Sequence, residues 1–562
     1  MKRWIPSLFI VVLLIAVGMA ALLPVRAAVI IVNDLSDAAD ADLNDDICDA
    51  DLTRDGAQCT LRAAIQTAER LPDVDAISFS VVGVIQLESA LPPITQDVII
   101  NGPGAQSLTI RRAAGDVLFG LITHTSGQLL LQGMTLANGA AANGGAINSS
   151  GTLLISNLEL TSNTASANGG AVYSTGELDI RTSVIRGNNA ANGGGIYADG
   201  TLVIIASSLY GNWASSGGSV NAAALTLIDS TVSGSSADLG GGVAVRGEST
   251  IANSTISSNS ADLVGGGVYV DGAFTSTVTL RNTTIAANTA PSGAGIGVPG
   301  SGQPLILNLS NTLLAENLPG GNCGALVTSG GSNLSSDGTC AALTQVGDIQ
   351  NVDANIGALA DNGGDVLTHA LLPGSPAIDS GEASLLPLDT FDRNGDGITN
   401  QPIPFDARGV DNGVAYQRLS GSAPDIGAFE VQVPPPVPTN TPVIIVVTAR
   451  PTATPTGSAT ATITATATVT GTPPTATFTS TGTITLKPTL PTSTPTGTPP
   501  TATPTLDPSI SPTVTNTVDP NATPTNTTDP DVTPTATNTV DPNATPSATV
   551  VPPTATDTTL PQ

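Results

Sequence analysis

The chain has almost no lysine. Lys2 and Lys487 are its only two, and 17 basic residues face 45 acidic ones, for a net charge of −28. Nucleic-acid binding needs clustered cations to neutralise phosphates, so this balance argues against it. The acidic surface reads instead as solubility or affinity for divalent cations. Aromatic residues make up 3% of the chain, too few for an ordinary globular enzyme core. The two histidines, His124 and His369, lie far apart, and the four cysteines form no CxxC; a zinc site is the weaker reading of both. No phosphate loop, zinc-protease motif or nucleophile elbow is present. The apolar run "VIIVV" from Val443 is too short to cross a bilayer, so no C-terminal membrane anchor is expected.

What is abundant is glycine, 60 residues, and it comes in a phrase. "NGGAI", "NGGAVY", "GGGIY", "SGGSV", "GGGVAV", "GGGVYV" and "SGAGIGV" place an apolar residue at 147, 172, 196, 220, 243, 268 and 296. The steps are 25, 24, 24, 23, 25 and 28 residues, the period of a solenoid. A second phrase ends on asparagine at Asn163, Asn188, Asn212, Asn259, Asn288 and Asn317, with Ser235 once in the same slot. Three residues earlier stands Leu160, Ile185, Leu209, Val232, Ile256, Ile285 or Leu314, and two before that a hydroxyl such as Ser183 or Ser207.

Helical repeats need longer units and helix formers; these segments are short, β-branched and bounded by turn residues. The LxxLxL phrase of leucine-rich repeats is missing. The reading that remains is an all-β parallel β-helix, with one repeat per three-sided coil. Coils stack ~4.8 Å apart, so equivalent residues form ladders. Inward Ile, Val and Leu fill the core, and Gly-Gly permits a sharp turn. Asn at a fixed corner is expected to take left-handed backbone angles and bond the amides above and below. The stretch "CTLRAAIQTAERL" puts Leu61, Ala64, Ile65, Ala68 and Leu71 on one helix face, an N-terminal capping helix for the open end.

Five segments are expected. Residues 1–27, with Lys2 and Arg3 before an apolar run, read as a signal peptide or an uncleaved anchor. Residues 28–100 hold the cap and first coils, 101–345 the repeats, and 346–432 a C-terminal β-helix or cap region. Residues 433–562 form a Thr/Pro-rich tail that cannot bury a core and reads as a disordered stalk or linker, with cell-wall association as one role. Export fits two local disulfides, Cys48–Cys59 and Cys323–Cys340, the simplest of three pairings.

Three stretches carry a resemblance. "CTLRAAI" from Cys59 resembles the CSLREA-type N-terminal domain of secreted bacterial proteins, with Thr for Ser and Ala for Glu. The GGA[I/V] and asparagine phrases are similar to polymorphic outer membrane protein repeats, with Leu, Ile or Val where Phe is usual. "LADNGGDVLTHALLPGSPAIDSG" from Leu359, "DARG" from Asp406 and "PDIGAFE" from Pro424 resemble the choice-of-anchor Q region. The resemblance implies a secreted or surface right-handed β-helix with adhesin-like roles in some relatives.

Chemistry has few places to sit. "FDRNGDGITN" sets Asp392, Asn394 and Asp396 before Gly397, the opening of a calcium loop, but Ile403 stands where its glutamate belongs; Asp406 is the candidate substitute. A solvated Asp/Asn/Gly turn is the alternative, and the acidic stretch before Cys59 has irregular spacing. β-Helices include enzymes that cleave acidic polysaccharides. Asp238 and Asp262 occupy matching positions, as do Arg246 and Asp271; surface charge or a weak ion pair accounts for both patterns. His124 and His369 read as surface or packing residues, and no catalytic set is assigned. The expected function is a non-catalytic, adhesin-like surface protein whose partner is a glycan or a surface protein. The alternatives are a polysaccharide lyase or hydrolase and a self-associating wall or sheath component.

Overall fold

The computed structural model describes residues 28–432, apart from 72–73, 274 and 300–304. The N-terminal apolar segment 1–27 and the Thr/Pro-rich segment 433–562 lie outside the described residues. The described chain is an all-β parallel β-helix. Each coil contributes strands to three faces. The first face is a broad 18-stranded sheet with two strands per coil, such as Val172–Ser174 and Leu178–Arg181. The second is a 12-stranded parallel sheet of short strands such as Val184–Arg186. The third is made of short pieces such as Ser236–Leu239 and of single bridges such as Asn189 with Trp213.

The registers follow the repeat. Ile147 pairs with Val172, then Ile196, Val220, Val243, Val268 and Ile296 in unbroken succession. On the second face Leu160, Ile185, Leu209, Val232, Ile256, Ile285 and Leu314 do the same. Both columns are buried, because the two-residue alternation of a strand sends every second side chain into the narrow interior. One continuous apolar column therefore runs through the coils. Helix α1 (Leu61–Ala68) joins it at the N-terminal end: Thr60 accepts from Ala63 N–H at its start, and Leu61, Ala64, Ile65 and Ala68 are buried.

The asparagines differ from expectation in one respect. Their backbones are not left-handed; the residue before each one is. Ser162, Gly187, Gly211, Ser258, Ala287 and Glu316 have φ between 55° and 62°. A left-handed residue reverses the in–out alternation, so the Asn after it points inward instead of outward. There Asn188 Nδ2 donates to Asn212 Oδ1 at 3.0 Å and to the Leu160 carbonyl at 3.0 Å. Its Oδ1 accepts from Asn163 backbone N–H at 2.9 Å. Asn259, Asn288 and Asn317 repeat the pattern. At the next corner Ser183, Ser207, Ser230 and Ser254 form a hydroxyl column in which each backbone N–H donates to the next Oγ at 3.1 Å.

Beyond Gln350 the chain runs back along the flank rather than continuing the coil. After Ile349–Gln350, the last strand of the second face, the chain makes two antiparallel hairpins, Ile356–Ala360 with Thr368–Leu371 and Phe405–Asp411 with Val414–Gln417. Thr231 Oγ1 donates to the Leu367 carbonyl (2.6 Å), Ser257 Oγ lies 2.8 Å from His369 Nε2, and Ala428 N–H donates to Thr284 Oγ1 (2.9 Å). The second-face strands Thr231–Ser233 through Leu313–Ala315 are consequently buried on both sides. Glu159–Thr161, Val184–Arg186 and Ser208–Tyr210 are not.

Candidate functional site

In a β-helix the inward positions belong to the fold, so chemistry must come from outward side chains. Most are Ser, Thr, Asn or small residues; the central coils are the exception. Tyr173, Tyr197, Tyr210, Trp213 and Tyr269 fall there, with no Phe between them, so every aromatic ring of this stretch carries a polar handle.

Tyr173, Tyr197 and Tyr269 directly follow the inward residue of the glycine phrase, so strand alternation turns them away from the core on the first face; Tyr173 and Tyr197 are half-buried there, and Tyr269 is buried. The Tyr173 and Tyr197 rings stack at 5.7 Å with planes 23° apart. Arg246 lies over Tyr197 at 4.8 Å and pairs with Asp199 at 3.0 Å. Burial pushes the Tyr197 hydroxyl up from its ordinary value, against the pull of Arg246. Next to this row, across the glycine turn, runs a row of polar side chains. Asn192 Nδ2 donates to Asn168 Oδ1 (3.0 Å), and Asn221 Nδ2 reaches back to Ser216 Oγ (3.0 Å). Gly193 makes this approach possible: at φ 61° a Cβ there would strike the Ile196 carbonyl. At the opposite corner of the third face, Tyr210 and Trp213 flank the Gly211–Asn212 pair and are 42% and 51% exposed.

Asp238 and Asp262 come directly after the paired Ala237 and Ala261 on adjacent coils. Arg246 does not pair with Asp271; its long side chain reaches back two coils to Asp199, while Asp271 accepts from Ala273 N–H. His124 and His369 are both buried, not surface residues. His124 Nδ1 lies 2.8 Å from Ser149 Oγ, and desolvation lowers the pKa of both imidazoles. Cys48 is bonded to Cys59, and Cys323 to Cys340.

In the loop at 392–397, Asp396 accepts from Ile398 N–H, Asn394 Nδ2 and Gln401 Nε2, and Asp392 accepts from Gly397 N–H. Asp406 does not serve this loop. It is fully buried, accepts from Arg408 and from Glu430 N–H, and so belongs to the flank. Ile403 packs with Ile205, Ile228 and Ala252. Among the described residues no three or more His, Cys, Asp or Glu side chains converge as a metal site would require. Sequence reasoning missed the tyrosines, although their place one residue after each inward Ile or Val was a readable signal.

Residues 171–340 match the family model of the right handed beta helix region. The β-helix coils of the aromatic rows lie almost wholly inside that match. Among solved structures, pectate lyase Pel9A is 13% identical, with a TM-score of 0.40, over 72% of this chain and 96% of its own. The A-module of the mannuronan C-5 epimerase AlgE6 of Azotobacter vinelandii is 13% identical, with a TM-score of 0.29, over 52% of this chain and 89% of its own. Neither likeness carries a statement about activity. Comparison with curated protein sequences gave no match.

Proposed function

We propose that this chain is an exported, non-catalytic surface protein that binds a glycan along the outward aromatic rows of its central coils. The observation that carries the reading is the Tyr173–Tyr197 stack with Arg246 over it, on a helix otherwise poor in aromatic residues. Sugars offer a C–H face to an aromatic ring and hydroxyls to amides and hydroxyls. Tyr rings beside Asn168, Asn192 and Ser216 offer both kinds of contact, and Tyr loses little side-chain entropy on binding. Export is supported by the two disulfides and the N-terminal apolar run.

The test is retention on immobilised polysaccharides. Replacing Tyr173 and Tyr197 by Ala removes the stacked pair, with whatever ring surface it leaves open to a sugar. The expected loss is about 1–2 kcal/mol, a factor of roughly 5–30 in affinity. Equal retention of the Tyr173→Ala/Tyr197→Ala variant and the parent on every glycan bound would remove this reading.

A further inference from the structure

The hairpin joining Ile356–Ala360 to Thr368–Leu371 carries a loop, residues 361–367, that sequence reasoning left without a role. This loop forms one wall of a cleft of about 320 Å³; the other wall is the second face where its uncovered strands meet the covered Thr231–Ser233. Val184, Ser208 and Tyr210 line the coil side, and Asp361, Asp365 and Leu367 line the loop side.

The cleft is preformed. Thr231 Oγ1 holds the Leu367 carbonyl at 2.6 Å, and Arg408 Nη1 donates to the Asn362 carbonyl at 3.2 Å. Val366 is buried with Ala407 and Ala428 beneath the loop. Gly364, at φ 84°, lies so close to the Arg408 backbone that no Cβ fits. A wall fixed this way loses little entropy when a ligand arrives.

Its charge has one sign. Two carboxylates line it, and no Lys, Arg or His does. Asp361 accepts from Gly363 N–H (2.9 Å), and Asp365 makes no hydrogen bond among the described residues. The cation felt by Asp365, Arg393, is already engaged 2.8 Å from Asp229. Among the described residues no three such ligand side chains converge, which leaves a metal ion poorly served. A compact organic cation with an apolar face is served well: carboxylates take its N–H groups, and the exposed Tyr210 takes its face.

We infer that this cleft binds the protonated amine of an amino sugar, a glucosamine-type residue of a partly deacetylated glycan, with Asp361 and Asp365 on the ammonium and Tyr210 against the ring. The inference rests on the glycan-binding reading and adds the sugar class.

Calorimetry on the full chain tests it with glucosamine and N-acetylglucosamine hexamers, at a pH where the free amine is protonated. The free-amine hexamer is expected to bind at least about tenfold more tightly. Asp361→Asn/Asp365→Asn is expected to erase that preference, and Tyr210→Ala to weaken the free-amine complex. Asp238→Asn/Asp262→Asn, which removes the same charge elsewhere, is expected to leave the preference intact. Equal affinity for the two hexamers in the parent would overturn the inference, as would an equal loss in the charge-matched control, which would assign the attraction to net charge. Oligolysine bound as tightly, through the same two carboxylates, would overturn the sugar in favour of a protein lysine. If both hexamers bind alike and Tyr173→Ala/Tyr197→Ala weakens both, the glycan reading stands and this inference alone fails.

Discussion

Asn188 ties its own coil to the coils on both sides of it with one side chain. Its amide donates to Leu160 and Asn212, and its oxygen takes Asn163 N–H, all inside the core. Asn188→Ala strands a buried backbone donor and a buried carbonyl. A loss of about 2–4 kcal/mol is expected by urea denaturation. Asn189→Ala, one residue on and exposed, should stay within about 0.5 kcal/mol of the parent. Glycines sort by a similar contrast. Gly187 and Gly193 share φ 61°, but a Cβ on Gly187 meets open space, whereas one on Gly193 meets the Ile196 carbonyl. Gly187→Ala should cost about 1 kcal/mol and Gly193→Ala well over 2, measured in the same denaturation series. The asparagine column was legible because the period fixes the slot. Which corner residue turns left-handed was also written, in the Gly before Asn188 and Asn212, but the general liking of Asn for that conformation pointed to the wrong residue of the pair.

At the scale of elements, the flank is held by charge as much as by apolar contact. Arg408 is 5% exposed, bonds Asp406 through two nitrogens, and lies between the rings of Tyr416 and Phe429 at 4.1 and 3.9 Å. A lysine has neither the fork nor the plane, so Arg408→Lys should cost about 3–5 kcal/mol locally. Limited proteolysis should then cut first between residues 346 and 432 while the coils persist; unchanged cleavage would contradict this view of the flank. Burial also pushes the Asp229 carboxyl up to about 6, against the pull of Arg393. The folded state then holds that proton more tightly than the unfolded chain, whose carboxyl titrates near 3.8. This contribution is present below pH 3.8 and is lost as pH rises through 6. Asp229→Asn should flatten that part of the stability–pH curve, measured as the parent-minus-variant difference so that the opposing histidines cancel. None of this was legible: Thr231 meets Leu367 across 136 residues and Ser257 meets His369 across 112, and no period links them.

The whole molecule separates its tasks by direction. Inward ladders build the coil, residues 346–432 cover one stretch of the second face, and the outward aromatics occupy the central coils left open. The inward half was readable from the sequence because repetition is a property of the fold. Of the outward half only the direction of the tyrosines was readable; their partners were not, because a surface on a solenoid is assembled from adjacent coils, as when Arg246 crosses to Asp199 and Tyr197. On the proposed function these surfaces bind a glycan without cutting it. Incubating the purified protein with a broad polysaccharide panel, and scoring both retention and newly formed chain ends, tests it most directly. Retention on at least one glycan with no new ends is the predicted result; release of new chain ends, or retention on none, would contradict it.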